Sequence, residues 1–139
     1  LLSIAFSNVV NAHANGNSIG VNSGYARYLS DDTMLATVVA PELAHNIFWR
    51  PSANRRGSWA SRKSEARADD VGLYLLAMAG YPLNTETRLL SGLTEDVDYF
   101  TARRRSHPTS PARVLAERKT IEEINEKQRR GEPLRLRFK

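Results

Sequence analysis

The chain has 139 residues, with 20 Lys/Arg against 15 Asp/Glu and a formal net charge of +5. That length suits one domain with a real core. The absence of cysteine excludes disulfides, zinc–thiolate sites and thiol nucleophiles. No apolar run approaches the length of a membrane helix.

The first segment, Leu1-Leu2-Ser3-Ile4-Ala5-Phe6, is apolar without a basic flank or a long hydrophobic stretch, and reads as a strand or strand end, not a signal peptide. The chain opens without Met, as expected of a matured or trimmed product. Residues 7–14 read as a strand. Asn15-Gly16 tolerates positive φ and predicts a tight turn, with residues 18–22 returning as the second arm of a hairpin. Residues 24–28 suit a short helical turn.

Asp31-Asp32 is a good helix start, because acidic groups favour the positive end of the dipole. The helix is expected over residues 33–49, with Leu35, Val38, Val39, Glu42 and His45 on one side. A carboxylate and an imidazole thus continue an apolar stripe, and charged groups are seldom buried without a partner or a task. Residues 51–62 read as a loop, with Trp49 and Trp59 as core or loop anchors. A second helix is expected over 63–79, placing Glu65, Asp69, Gly72 and Leu76 on one face. Gly80-Tyr81-Pro82 stops it. Shorter helices are expected over 85–91 and 96–103. After the rigid Ser106-His107-Pro108 connection, Ser110 and Pro111 begin a last helix, ending at Gly131 with Val114, Leu115, Ile121 and Ile124 on its apolar face. Residues 132–139 read as an extended tail.

Charge is uneven. From Arg103 to Lys139 twelve Lys/Arg stand against five Asp/Glu. Without aromatic interleaving or a nucleic-acid motif, this reads as a solvated helix and tail, and no nucleic-acid partner is expected.

Three polar clusters follow in order: Pro41-Glu42-Leu43-Ala44-His45, Glu65-Ala66-Arg67-Ala68-Asp69, and Ser106-His107-Pro108. The first is an H-E-x-x-H helix motif with its first His replaced. The intact motif binds zinc through two histidines one turn apart, with the Glu as general base. Each cluster also has a plainer reading. Glu42 and His45 could form a simple hydrogen-bonded pair. Glu65 and Asp69 could be surface acids partnered by Arg62, Lys63 and Arg67. His107 could be a turn residue before Pro108.

The order of blocks resembles the HtpX-like and CAAX-prenyl-protease-like zinc metallopeptidases over nearly the whole chain. An Asn11-Ala12-His13-Ala14 strand precedes a hairpin. Asp31-Asp32-Thr33-Met34-Leu35-Ala36 opens the motif helix. Residues 41–46 read P-E-L-A-H-N where relatives have H-E-L-A-H-N. Glu65 to Asp69 supplies E-x-x-A-D, followed by Gly72-Leu73, Ala79-Gly80-Tyr81 and His107-Pro108.

The resemblance implies an α+β zincin-like core, a small, mostly antiparallel sheet packed on a helical layer, lacking its N-terminal part. It implies zinc-assisted peptide-bond hydrolysis with Glu42 as general base. His45 and Glu65 would be zinc ligands, and Asp69 an outer-shell acid that orients a histidine ligand. His107 would stand near the cleft to stabilise the developing oxyanion. The strand at residues 12–14 would pair with an extended peptide or protein substrate. Family members are often bacterial envelope or periplasmic proteins; membrane association and oligomeric state stay open. Pro41 departs from the pattern, since proline offers zinc no donor atom. Two readings follow: an impaired metallopeptidase, or an inactive pseudopeptidase that binds peptides or proteins. His13 is the candidate substitute ligand, against its plainer reading as a half-exposed strand residue.

Overall fold

The computed structural model describes residues 1–48, 62–83 and 111–136. The expected helices over 85–91 and 96–103, the loop with Trp49 and Trp59, and His107 lie outside the described residues.

The hairpin forms where Asn15-Gly16 predicts it. Strands β2 (Ala12–Ala14) and β3 (Ile19–Asn22) pair antiparallel, with Ala12 opposite Val21 and Ala14 opposite Ile19. Gly16 has φ 92°. Asn15 closes the turn by accepting the Asn17 and Ser18 amides at 3.1 and 2.8 Å, the short-range bonding that suits Asn to turns. Strand β1 (Leu2–Ala5) adds to the other edge of β3, in parallel, giving the order β1-β3-β2. The sheet is therefore mixed, which corrects the expectation of a mostly antiparallel one.

Residues 7–10 also depart from expectation and form no strand. The physical reason is a serine-built turn. Ser7 Oγ accepts the Val9 amide at 3.2 Å, while the Ser7 carbonyl accepts the Gly24 amide at 2.7 Å and the Ser23 hydroxyl at 3.0 Å. These bonds consume groups a strand would use for its ladder. Gly24 belongs to the short helix α1 (Ser23–Ala26), and a Cβ there would collide with the Asn8 carbonyl.

Helix α2 (Asp32–Ile47) starts at its cap, with Asp31 Oδ1 accepting the Met34 amide at 2.8 Å. It stays continuous through Pro41. Helix α3 (Arg62–Met78) ends at Gly80, φ 81°, with Tyr81 N–H reaching the Leu76 carbonyl at 2.9 Å. Helix α4 (Pro111–Arg129) ends alike at Gly131, φ 67°.

The architecture is α+β, with a small mixed sheet followed by helices packed together. Val10, Ala12, Val21, Tyr25 and Val38 form the core between sheet and α2. Further along α2, Ala40 packs with Leu73, Tyr74, Leu76 and Ala77 of α3 and Ile124 of α4. Ala44 packs with Ala68 and Val71. As α2 advances, its α3 neighbours fall in number, so the two helices run antiparallel. Their backbones approach closely at Pro41 and Gly72, where a Cβ on Gly72 would lie 3.1 Å from the Pro41 nitrogen and 3.2 Å from its Cα. A side chain there would be crowded against the α2 backbone, which glycine avoids.

The face of α4 that meets α3 keeps Ile121 and Ile124 of the expected stripe and leaves Leu115 out. Arg113 and Ile124 are buried, and Thr120 bonds Asp70 at 2.8 Å, whereas Leu115 is 56% exposed. Positions 113, 117, 120 and 124 keep helical spacing. The facing surface of α3 carries Asp69, Asp70 and Tyr74 beside Leu73, Leu76 and Ala77, so polar partners extend the apolar contact made by Ile121 and Ile124.

Candidate functional site

The site residues come from three helices that meet at one seam. Among the described residues, Glu42, Glu65 and Arg113 are the charged side chains that are buried, at 4%, 2% and 7% exposure. Buried charge must be paired and hydrogen-bonded to persist. The geometry shows how that is arranged.

His45, one turn beyond Glu42 on α2, places Nε2 3.4 Å from Glu65 Oε1 on α3. The other Glu65 oxygen lies 3.5 Å from Arg113 Nη1 on α4. Arg113 also grips Asp69 with two bonds, Nε to Oδ2 and Nη2 to Oδ1, both 2.7 Å. Such a fork is the strong form of the ion pair. Burial opposes charge on the Arg113 guanidinium, but its bond to Asp69 and the fields of Asp69, Glu65 and Glu117 outweigh that, raising its pKa above the ordinary value. Glu65 is thus no surface acid: it is buried, and the partner shared with Asp69 is Arg113, not Lys63 or Arg67. Arg67 instead stacks on Phe48, 3.7 Å from the ring centroid.

Asn46, the last residue of the P-E-L-A-H-N block, ties the site helix to the sheet. Its Oδ1 accepts the Gly16 amide at 2.5 Å and its Nδ2 donates to the Ser18 carbonyl at 3.0 Å. The hairpin turn is thereby held against the C-terminal half of α2.

His13 does not join this group. Ala12 and Ala14 are buried and His13 between them is exposed, as strand alternation requires. Its imidazole lies over Gly20, its partner in the register. Pro41 stands at the α2–α3 crossing beside Gly72 and presents no donor. The sequence reading missed Arg113. Its partner Asp69 is 44 residues away, and no local pattern encodes such a pair. The one available signal was its helical register with Thr120 and Ile124.

Could these residues hold zinc? His45 and Glu65 face each other and offer two donors. Position 41 offers none, and the second oxygen of Glu65 faces a cation. Catalytic zinc sites use three protein ligands; among the described residues, His45 and Glu65 supply two donors. Among the described residues, no three of His, Asp and Glu gather closely enough to hold a metal ion, and no helix is long and apolar enough to cross a membrane. No protein-family model matches the chain, and no curated protein matches it.

Proposed function

We propose that the chain is a zinc-metallopeptidase-type domain whose hydrolytic centre is impaired at position 41. One observation carries this reading: His45 and Glu65 meet at 3.4 Å across the α2–α3 seam, with Glu42 buried one turn earlier, while position 41 on the same seam holds a proline. Two buried carboxylates beside an imidazole are uncommon in a core, where charged groups are seldom buried without a partner or a task. The E-x-x-H spacing and the E-x-x-A-D block support the peptidase assignment over a simple structural ion pair. With two donors in place of three, zinc affinity is low and peptide hydrolysis weak.

An inactive pseudopeptidase that binds peptides is the second reading, and the sheet favours it. Strand β2 lies at the sheet edge and packs beside α2. An extended peptide or protein segment adding to that edge would run past the site helix.

The test compares zinc content and casein-type proteolysis for the parent, Pro41→Ala and Pro41→His. The parent and Pro41→Ala retain little zinc, and Pro41→His gains close to one equivalent with a rise in proteolysis. Stoichiometric zinc in the parent contradicts impairment. A metal-free Pro41→His protein contradicts the peptidase assignment. Zinc without proteolysis in Pro41→His favours the peptide-binding reading.

A further inference from the structure

The polar contacts at the seam form one continuous series across three helices: His45 to Glu65, Glu65 to Arg113, Arg113 to Asp69. Glu65 and Asp69 stand one helical turn apart and both are largely removed from water, with side-chain exposures of 3% and 10%. Two such carboxylates cannot both stay ionised without a nearby cation. A divalent ion could serve, but among the described residues no three of His, Asp and Glu gather to hold one. The guanidinium of Arg113 reaches both acids, with planar two-point contact to Asp69 and a 3.5 Å approach to Glu65. Its five N–H donors and permanent charge suit it to this role in a way that a lysine's point charge would not.

We infer that Arg113 is the resident cation of this acid pair, so that the seam between α2, α3 and α4 folds without metal. This goes beyond the impaired-peptidase reading and does not depend on it. It would hold for any domain built on this seam.

Thermal unfolding of the full chain tests it, with and without a strong chelator, for the parent, Arg113→Met, and the triple variant Arg113→Met/Glu65→Gln/Asp69→Asn. Chelator shifts the parent midpoint by less than about 1 °C, while Arg113→Met falls by roughly 10 °C or more, because it strands buried carboxylates. The triple variant recovers at least about half of that fall, since neutral amides need no cation. The proposal is overturned by a parent midpoint that drops several degrees in chelator, by an Arg113→Met midpoint near the parent's, or by a triple variant no more stable than Arg113→Met. The last result would mean that Arg113 acts through packing. If Arg113→Met does not fold, a folded triple variant still supports the proposal, and an unfolded one overturns it. Zinc uptake by Pro41→His reports on the peptidase reading alone, so the two can fail separately.

Discussion

At the scale of single residues, the site depends on side chains that bond across elements. Asn46 is the clearest case outside the charged cluster. It satisfies both the Gly16 amide and the Ser18 carbonyl of the hairpin turn. Asn46→Ala removes both bonds and leaves two backbone groups to find water. The expected loss is about 1–3 kcal/mol in urea unfolding, with faster amide exchange at Gly16. Asn46→Asp keeps the acceptor but turns a carboxylate oxygen toward the Ser18 carbonyl at the negative end of α2, so it is no milder than Asn46→Ala. A loss below about 0.5 kcal/mol for Asn46→Ala would show that the clasp is incidental. At this scale the sequence was informative for Glu42, His45 and Glu65, because an acid or imidazole at an apolar helical position is locally visible. Arg113 was not visible. It belongs to a chain segment with an excess of basic residues, and its pairing is with Asp69 on another helix. The role of Asn46 was hidden for the same reason, since its partners lie across a turn on the sheet.

At the scale of elements, Pro41 raises the sharpest question. A proline within a helix leaves the carbonyl four residues earlier, that of Thr37, without its helical donor, and its ring crowds that turn. Yet α2 continues through it, and its backbone stands close to Gly72 of α3. Helix–helix packing therefore overrides local propensity. Pro41→Ala restores an N–H while leaving the crossing at Gly72 open. We expect a gain of about 1–3 kcal/mol in chemical denaturation, less than the full penalty for an internal proline because the native structure has already adapted. The same variant gains no zinc, so it separates repair of the helix from repair of a ligand. A destabilised Pro41→Ala protein would show that the ring itself is a needed part of the α2–α3 contact. Element boundaries were well read from the sequence where capping chemistry marks them: Asp31 at the start of α2, Gly80 after α3 and Gly131 after α4. They were misread at residues 7–10, where valines suggest a strand but Ser7 and Ser23 bind the backbone first. The contact face of α4 was read in part: Ile121 and Ile124 pack as expected, but Leu115 is exposed and the buried Arg113 meets a polar partner surface that counting apolar residues cannot reveal.

At the scale of the whole molecule, each layer is held to the next by a few specific contacts: the hairpin to α2 through Asn46, α2 to α3 at Gly72, and α3 to α4 through Asp69–Arg113, Asp70–Thr120 and the Tyr74–Glu123–Lys127 group. In α+β terms the sequence was a sound guide, since periodicity separates strands from helices. The parallel addition of β1 to β3 was beyond it, since strand order is a long-range property. The segment after α4 was also more than a solvated tail. Residues 132–136 have no regular secondary structure, but Leu134 packs on the Ala40 cluster and Leu136 packs on both that cluster and the Ala44 cluster, with Arg135 exposed between them. That alternation is the signature of an extended segment with one face on a core. The turn at Gly131 directs the segment back over the helical cores, toward the Ala44–Ala68 end of the seam beside His45 and Glu65. Leu134→Ser/Leu136→Ser uncovers two half-buried apolar side chains and should cost about 2–3 kcal/mol, read as a lower urea midpoint with little change in slope. Because Leu136 touches the same cluster as Ala44 and Ala68, the loss should also raise amide exchange in the C-terminal turns of α2, where His45 lies. Unchanged stability would return residues 132–136 to the status of a solvated tail. A stability loss without faster exchange around His45 would confine their role to the α3–α4 side of the fold.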